Sequence, residues 1–562
     1  METLAPWVDR YRHPVAWNWT SDPQSMAELF EASALKAGAA PLIDFMGRRY
    51  SYAETLDGAN RVACGLAALG YGQGDRIGLY LPNVPHYVAA YYGILKLGAT
   101  VVNFSPLYTA AELADQVADS GTRLLFTLSA SALLPTALEV LERSALERLV
   151  VGSVAGALPP AKSILYRLTR RREVTARPDD PRVVAFSTLI ANAGTCARPT
   201  IDPVRDVALI QYTGGTTGTP KGAMLTHANL AANAQQVAGL DPERGRQVDR
   251  IMGVLPLFHV FANTCVLNRT VLTGGEIVML PRFDAGQTLA ALHRTRATSM
   301  PGVPTMYQAL LDHPATPSTD FSSLRVCVSG GAPLSVELKQ KFQAVTGALL
   351  VEGYGLSESS GVVSCNPYEG PARGRSIGQP VPGTDIRLLD KEDPTIAAPP
   401  GEPGEIAVAG PQIMKGYWNR PDADAEVFVT DAAGRRWLRT GDVGTIDADG
   451  FVAIVDRLKD MIAVSGFKVF PSQIEAILHH HPAIKEALVI GLPDDYRGER
   501  PRAYVVLEQG MDATGEGLCA WLNPQLGRHE RVDAVVVRDS LPKTMIGKLS
   551  RKDLLAEVLA AE

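Results

Sequence analysis

The chain has 562 residues, of which 46% are hydrophobic and 20% charged. At roughly 150 residues per domain this is about three to four structural units, and the ordinary apolar content with aperiodic glycine excludes intrinsic disorder and collagen-like repetition. The 54 basic and 60 acidic side chains leave a net charge of −6, so no nucleic acid is expected as a partner, and an anionic small substrate needs a local cluster of donors.

The N-terminus, METLAPWVDRYRHPVAW, lacks a basic start followed by an apolar core, so no signal peptide is expected. SMAELFEASALKAG (25–38) and YAETLDGANRVACGLAALG (52–70) have helical spacing. RIGLYLP (76–82) is a short apolar run with a proline stop and predicts a buried strand. VPHYVAAYYGILKLGA (84–99) predicts a helix and TVVNF (100–104) a strand. This alternation predicts parallel sheets covered on both faces. KSILYRLTRRR (162–172) is basic and amphipathic: Ile164, Leu165 and Leu168 share a helical face, with Arg167 and Arg170, Arg171 and Arg172 around it. Two readings fit it, a solvated surface helix and a weak peripheral contact with an anionic membrane.

DVALIQYT (206–213) predicts a strand that runs into GGTTGTPKGAMLTH (214–227), read as a loop followed by a helix. The strand and helix rhythm returns in 251–354, where IMGVLP, EIVMLP, LRVCVSG and ALLVEGY are strand candidates. After about residue 375 short β runs take over, with Asp449-Gly450 as a hairpin turn and the Pro- and Gly-rich 391–405 as a surface loop. From Asp456 onward helices and strands alternate to a terminal helix, SRKDLLAEVLAAE. The organisation predicted is a large α/β body, a small β unit and a compact α/β tail of about 100 residues. No apolar run reaches about 18 residues, so no membrane span is expected.

The six cysteines, Cys64, Cys196, Cys265, Cys327, Cys365 and Cys519, contain no CxxC pair. At this density reduced, buried thiols in a cytoplasmic protein are expected rather than a disulfide framework. The histidine run in HHHP (479–482) has no distant ligand cluster and is read as structural.

Glycine, threonine and a single lysine crowd the segment after the 206–213 strand. Glycines let backbone N–H groups approach phosphate oxygens, hydroxyls add donors, and Lys221 adds positive charge. The loop is not a Walker A motif, since no Gly-Lys-Ser/Thr stands at the required offset.

TGGTTGTPKGAMLTH resembles the phosphate loop of the acyl-adenylate-forming (ANL) enzymes, which include acyl-CoA synthetases, luciferases and peptide-synthetase adenylation domains. Four more segments match in the right order: GYGLSES (353–359), RTGDVG (439–444), DRLKDMIAVSGFKVFPSQIE (456–475) and LPKTMIGKLSRKDL (541–554). Together they span nearly the whole chain, and their wording is most similar to bacterial long-chain fatty acyl-CoA synthetases.

The resemblance implies an α/β fold with a large N-terminal body, residues 1–457. This body holds two doubly wound α/β subdomains to about 375 and a small β-barrel-like unit at 376–457. A hinge at 458–462 then leads to a smaller, mobile α+β C-terminal domain, 460–562. It also implies a two-step reaction. A carboxylate attacks the α-phosphorus of ATP, giving acyl-AMP and pyrophosphate; a thiol then displaces AMP. Both steps build charge on oxygens, so the site needs placed cations and donors.

Carried over residue by residue, the resemblance makes Thr213, Gly214, Gly215, Thr216, Thr217, Gly218 and Lys221 the holders of the β- and γ-phosphates. Glu358 becomes the Mg²⁺ ligand, and Ser357 stands where the family has threonine, keeping the hydroxyl. Tyr354, followed by Gly355, stacks on adenine, with Gly330, Gly331 and Ala332 of SGGAPL as the adenine-side turn. Asp442 accepts from the ribose hydroxyls beside Arg457. Lys548 is the adenylation lysine, with Lys543 a weaker candidate. Lys459 marks the pivot, and Ser465, Gly466 and Lys468 face coenzyme A.

In PLFHVFAN (256–263), His259 is placed near the substrate carboxylate. Gly361, Val362, Val363, Val303 and Met306 offer no cation to a polar acid, which favours an apolar acyl chain. A medium- or long-chain fatty acid, ATP, Mg²⁺ and coenzyme A are therefore the expected partners. A fatty acyl-AMP ligase loading a carrier protein and an aryl-CoA ligase are alternatives. Glu358, Lys221 and Lys548 argue against a silent binding protein. A homodimer, and association with the inner face of the membrane, stay open.

Overall fold

The computed structural model describes residues 7–213, 220–370, 373–374, 376–465, 467–494, 496–544 and 549–561. The chain divides into two compact units, Met1–Asp385 with Ala409–Glu426, and Ile386–Val408 with Val427–Glu562.

Two sheets carry the first unit. One is eight-stranded, in the order Gly416–Tyr417, Lys221–Thr226, Val207–Thr213, Thr100–Asn103, Arg76–Leu79, Leu124–Leu128, Arg148–Gly152, Val183–Ala185. The other is nine-stranded. Its parallel centre runs Leu349–Tyr354, Val326–Ser329, Ser299–Gly302, Arg250–Gly253, Glu276–Met279, Pro41–Phe45. Central strands such as Thr100–Asn103 and Leu124–Leu128 are buried along their whole length, as strands covered by helices on both faces must be. The helices at Met26–Ala37, Tyr52–Ala68, Ala110–Ser120 and His227–Ala238 each begin at a Ser or Thr capping box. Each such cap is worth about 1 kcal/mol and fixes where its helix starts. This is the predicted pair of α/β subdomains.

Two expectations are corrected. The glycine-rich loop does not lead straight into a helix. Strand Val207–Thr213 returns antiparallel as Lys221–Thr226, with Thr213 opposite Lys221, and the helix starts only at His227. Ala223 and Leu225 are fully buried in that second strand, which the loop-then-helix reading did not include. The cysteines are not all reduced either: Cys64 on the Tyr52–Ala68 helix and Cys196 are joined by a disulfide, their Cα atoms 5.4 Å apart. The 132-residue separation hid this pair, because only the tertiary fold lays the 190–200 segment along that helix.

The second unit contains two further sheets. Asp385–Leu389, Gly404–Ala409, Arg436–Ile446 and Phe428–Thr430 form one, with Val452–Arg457 also paired to Arg436–Ile446. Among the described residues this small β unit is an open sheet rather than a closed barrel. Its Asp449-Gly450 turn is present, with Gly450 at φ +79°. The C-terminal sheet pairs Ile484–Asp494 with Gly498–Leu507, flanked by Ile462–Val464 and Val535–Val537. Its two faces bury separate clusters. Ala487 and Val489 pack toward the Pro471–Leu478 and Gly515–Leu522 helices, while Leu488, Ile490 and Leu492 pack toward Arg551–Ala561. The period-2 alternation of a strand produces this split. His481 accepts from the Ala483 N–H and sets its edge on Trp521, a packing role.

Candidate active site

In the first unit, Thr213 and Lys221 face each other across two strands at the mouth of the glycine-rich loop. Gly214, Gly215, Thr216, Thr217 and Gly218 lie outside the described residues. The Lys221 ammonium lies 5.3 Å from the centre of the Tyr417 ring and pairs with Glu426 at 3.4 Å. Tyr417 reaches this place because its short strand adds to the outer edge of Lys221–Thr226, opposite Ala223. Its hydroxyl donates to Glu358 Oε1 at 2.7 Å. Burial and the carboxylate it meets push the Tyr417 hydroxyl pKa well up, so it stays a donor. Lys221 and Glu358, far apart in sequence, are thus joined through one tyrosine that the motif analysis missed. Periodicity carries no signal for it, since MKGYWNR forms only a two-residue strand.

Glu358 sits in the 3₁₀ turn Ser357–Ser359, just past the C-terminal end of strand Leu349–Tyr354. The turn is held from several sides. The Met414 N–H donates to the Glu358 carbonyl at 2.8 Å. Ser359 Oγ accepts from the Leu356 N–H at 3.0 Å. Ser360, at φ +57°, donates through Oγ to the Gln412 carbonyl at 2.9 Å. Asn233 brackets Val362, accepting from its N–H at 3.0 Å and donating to its carbonyl at 2.8 Å. Gly355 is obligatory here: a Cβ would stand 1.9 Å from the Gly361 carbonyl oxygen. Tyr354 precedes it at the strand end and is half-buried.

His259 caps the turn Val260–Ala262, its Nδ1 accepting from the Phe261 N–H at 3.3 Å. Phe261 lies against Gly330, where a Cβ would approach the ring to 3.1 Å. The 256–263 segment therefore touches the glycine turn at Gly330 directly. The following residues, Asn263–Asn268, wind as a π-helix, a form frequent at functional sites. Asn268 donates to Asn263 Oδ1 at 2.8 Å, and Tyr91 and Tyr92 donate to Asn263 and Asn268 from the neighbouring helix. Thr264 donates to the Ser360 carbonyl, tying this segment to the Glu358 turn. Val303, Met306, Val362 and Val363 are all buried, as an apolar neighbourhood requires. Glu352 accepts from the Leu334 N–H at 3.3 Å beside the same glycine turn, and burial pushes its carboxyl up to about 7.

In the second unit, Asp442 and Arg457 are cross-strand neighbours. Arg457 Nε donates to the buried Asp442 carboxylate at 2.8 Å. Glu405 accepts from the Gly441 N–H at 3.1 Å and fixes the turn before Asp442. Lys459 is exposed in the turn after Arg457. Next to it, Asp460 pairs with Arg551 at 2.8 Å, and Arg551 also holds Glu475 and Ser472. Ser465, at φ +52°, makes the turn between Ile462–Val464 and Phe467–Val469, its N–H donating to the Arg497 carbonyl at 2.7 Å. Lys543 pairs with Glu486 at 2.6 Å. Lys548 and Gly466 lie outside the described residues, as does the side chain of Lys468.

A cation, a carboxylate and a glycine-rich turn at the C-terminal ends of parallel strands define a nucleotide-using α/β enzyme. Comparison with known proteins identifies which. The model of the AMP-binding enzyme family matches residues 30–418, and that of the AMP-binding enzyme C-terminal domain matches 473–548. The chain is 39% identical over 560 residues to a long-chain-fatty-acid–CoA ligase of Bacillus subtilis, covering 99% of each chain. It is 36% identical to the enzyme of that name from Escherichia coli, covering 98% of each. Among solved structures, ATP-bound MatB of Rhodopseudomonas palustris superimposes with a TM-score of 0.81 at 28% identity, over 95% of this chain and 99% of that one. The chain belongs to the AMP-binding enzyme family, as its five motifs imply. Among the described residues no helix is long and apolar enough to cross a membrane.

Proposed function

We propose that this protein is an AMP-forming fatty acid:CoA ligase that takes medium- or long-chain acids. The observation that carries the reading is the Lys221, Tyr417, Glu358 chain, which sets a cation and an oriented carboxylate beside the phosphate loop.

In the first step a carboxylate oxygen of the fatty acid bonds to the α-phosphorus, and the bond to the bridging oxygen breaks to release pyrophosphate. Lys221 and the Thr213 end of the loop hold the leaving phosphates. The ring of Tyr354 takes the adenine, and Asp442 accepts from the ribose with Arg457 beside it. His259 stands on the acid side. Lys548 bridges the attacking carboxylate and the α-phosphate, as its place in IGKLSRK implies. Mg²⁺ fits Glu358: its half-buried side chain offers hard oxygen donors suited to that ion, while the hydroxyl of Ser357, one residue before it in the same turn, is left for the α-phosphate. When bound it neutralises charge on the phosphate oxygens.

In the second step the coenzyme A sulfur bonds to the acyl carbon and AMP leaves. Ser465, Gly466 and Lys468 supply the face along which the thiol arm passes, and the chain pivots at Lys459 between the steps. The buried Val303, Met306, Val362 and Val363 support an apolar acyl group. The exposed Ile164, Leu165 and Leu168 among arginines support contact with an anionic membrane surface, where such acids partition.

The test is pyrophosphate release with ATP and Mg²⁺ over acids from acetate to oleate plus benzoate and coumarate, with and without coenzyme A. Acyl-CoA from C8–C18 acids is expected. Acyl-AMP that accumulates and ignores coenzyme A, or preference for the aryl acids, contradicts the reading.

A further inference from the structure

On the first unit, at the other end of strand Lys221–Thr226 from the phosphate loop, lies a cavity of about 430 Å³. That volume is within the range of small-molecule sites. Its walls are mostly apolar, with Trp19, Val204 and Ile413 prominent. Five polar side chains line it, Thr20, Ser21, Thr226, Asn229 and Lys415. Thr226 is the cap of the His227–Ala238 helix. Lys415 brings an ammonium group, which donates to the Arg205 carbonyl at 3.0 Å. Ser21 Oγ is buried with no hydrogen-bond partner among the described residues. A buried hydroxyl left unmatched calls for a ligand atom or a water. One cation among neutral hydroxyl and amide groups in an otherwise apolar cleft suits a single carboxylate on an apolar body. A nucleotide's phosphates would call for more positive charge.

The cavity is also wired to the catalytic turn. Residues 411–417 run as a strap with two sides. Pro411, Ile413 and Lys415 line the cavity. Gln412 and Met414 between them are buried and turn to the Glu358 segment: the Gln412 carbonyl accepts from Ser360 Oγ and the Met414 N–H donates to the Glu358 carbonyl; at the strap's end the Tyr417 hydroxyl donates to the Glu358 carboxylate. Asn229, at the start of the helix that follows Lys221–Thr226, donates to the Pro411 carbonyl at 2.7 Å. A ligand against Ile413 and Lys415 therefore bears on the backbone that positions Glu358.

We infer that this cavity is a second, regulatory site for an amphiphilic monocarboxylate, and that its occupancy sets the Glu358 turn through the 411–417 strap. The choice of a fatty carboxylate rests on the proposed function; the cavity and the strap do not. The catalytic site is first filled with a non-hydrolysable dodecanoyl-adenylate mimic, and [¹⁴C]dodecanoate is then titrated by equilibrium dialysis. One further equivalent is expected to bind, at least tenfold more weakly in Lys415→Glu, which opposes the carboxylate, and in Ile413→Trp, which fills the cleft. No further equivalent, or full retention by either variant, overturns the site. In the coupled readout, the wild-type initial rate against dodecanoate departs from a single hyperbola and both variants return to one. Identical curves for all three proteins overturn the link to Glu358. Failure of the ligase reading would show instead as no dodecanoyl-CoA from the wild type, a separate result from the dialysis.

Discussion

Tyr417 is where the site's electrostatics converge: its ring lies under the Lys221 ammonium and its hydroxyl binds the Glu358 carboxylate. A hydrogen bond to a charged group is worth about 1.5–3 kcal/mol. Tyr417→Phe keeps the buried ring and removes that bond, so kcat/KM for ATP should fall about ten- to hundredfold with an unchanged circular dichroism spectrum; an unchanged kcat/KM would free Glu358 of this tyrosine. Glu352 makes a pH prediction. In the folded chain its carboxyl holds a proton up to about 7, whereas an unfolded glutamate releases it at about 4.3. Between those values the folded state binds more protons, so this residue's contribution to stability falls as pH rises through the window. Glu352→Gln keeps an acceptor for the Leu334 N–H and removes the titration, so its Tm gain over wild type should be larger at pH 8 than at pH 5. A gain independent of pH would contradict the burial of this carboxyl. Glu358, Lys221 and Asp442 stand out in the sequence as candidates because each lies inside a dense local motif. Tyr417 was not, because its role depends on a strand edge supplied by residues nearly two hundred positions earlier.

Helices were the most legible elements. Ser25 and Ser51 cap the helices read at 25–38 and 52–70, and the apolar stripes run from there. The strand after the glycine loop went unread, since KGAMLT alternates too briefly to mark one, and only burial against Val207–Thr213 decides it. The π-helix at Asn263–Asn268 was invisible, because its widening is set by partners on another helix, Tyr91 and Tyr92. The Pro160–Thr169 helix formed where the amphipathic pattern predicts it, yet none of its residues is buried. Ile164 is 62%, Leu165 58% and Leu168 61% exposed. Fully burying one such side chain is worth about 1.5–3 kcal/mol. Leu165→Glu with Leu168→Glu should therefore cut co-sedimentation with phosphatidylglycerol vesicles at least tenfold while leaving dodecanoyl-CoA synthesis in detergent-free buffer unchanged. Equal sedimentation of variant and wild type would leave the helix a solvated surface feature.

At the scale of the molecule, the alternation of strands and helices announced α/β sheets, but not the order of their strands. That order is set by long-range pairing: Gly416–Tyr417 joins the edge of Lys221–Thr226, and Pro41–Phe45 enters the nine-stranded sheet beside Glu276–Met279. Cys64 and Cys196 meet for the same reason, since only the finished fold lays the 190–200 segment on the Tyr52–Ala68 helix. The proposed reaction turns on attack of the carboxylate itself on the α-phosphorus. It is tested most directly with dodecanoate carrying ¹⁸O in both carboxyl positions, incubated with ATP, Mg²⁺ and coenzyme A, with the products weighed by mass spectrometry. The mechanism predicts that one labelled oxygen of each acid appears in AMP and the other stays in dodecanoyl-CoA, with none in pyrophosphate. Unlabelled AMP, or label in a phosphate released alongside ADP, would contradict it.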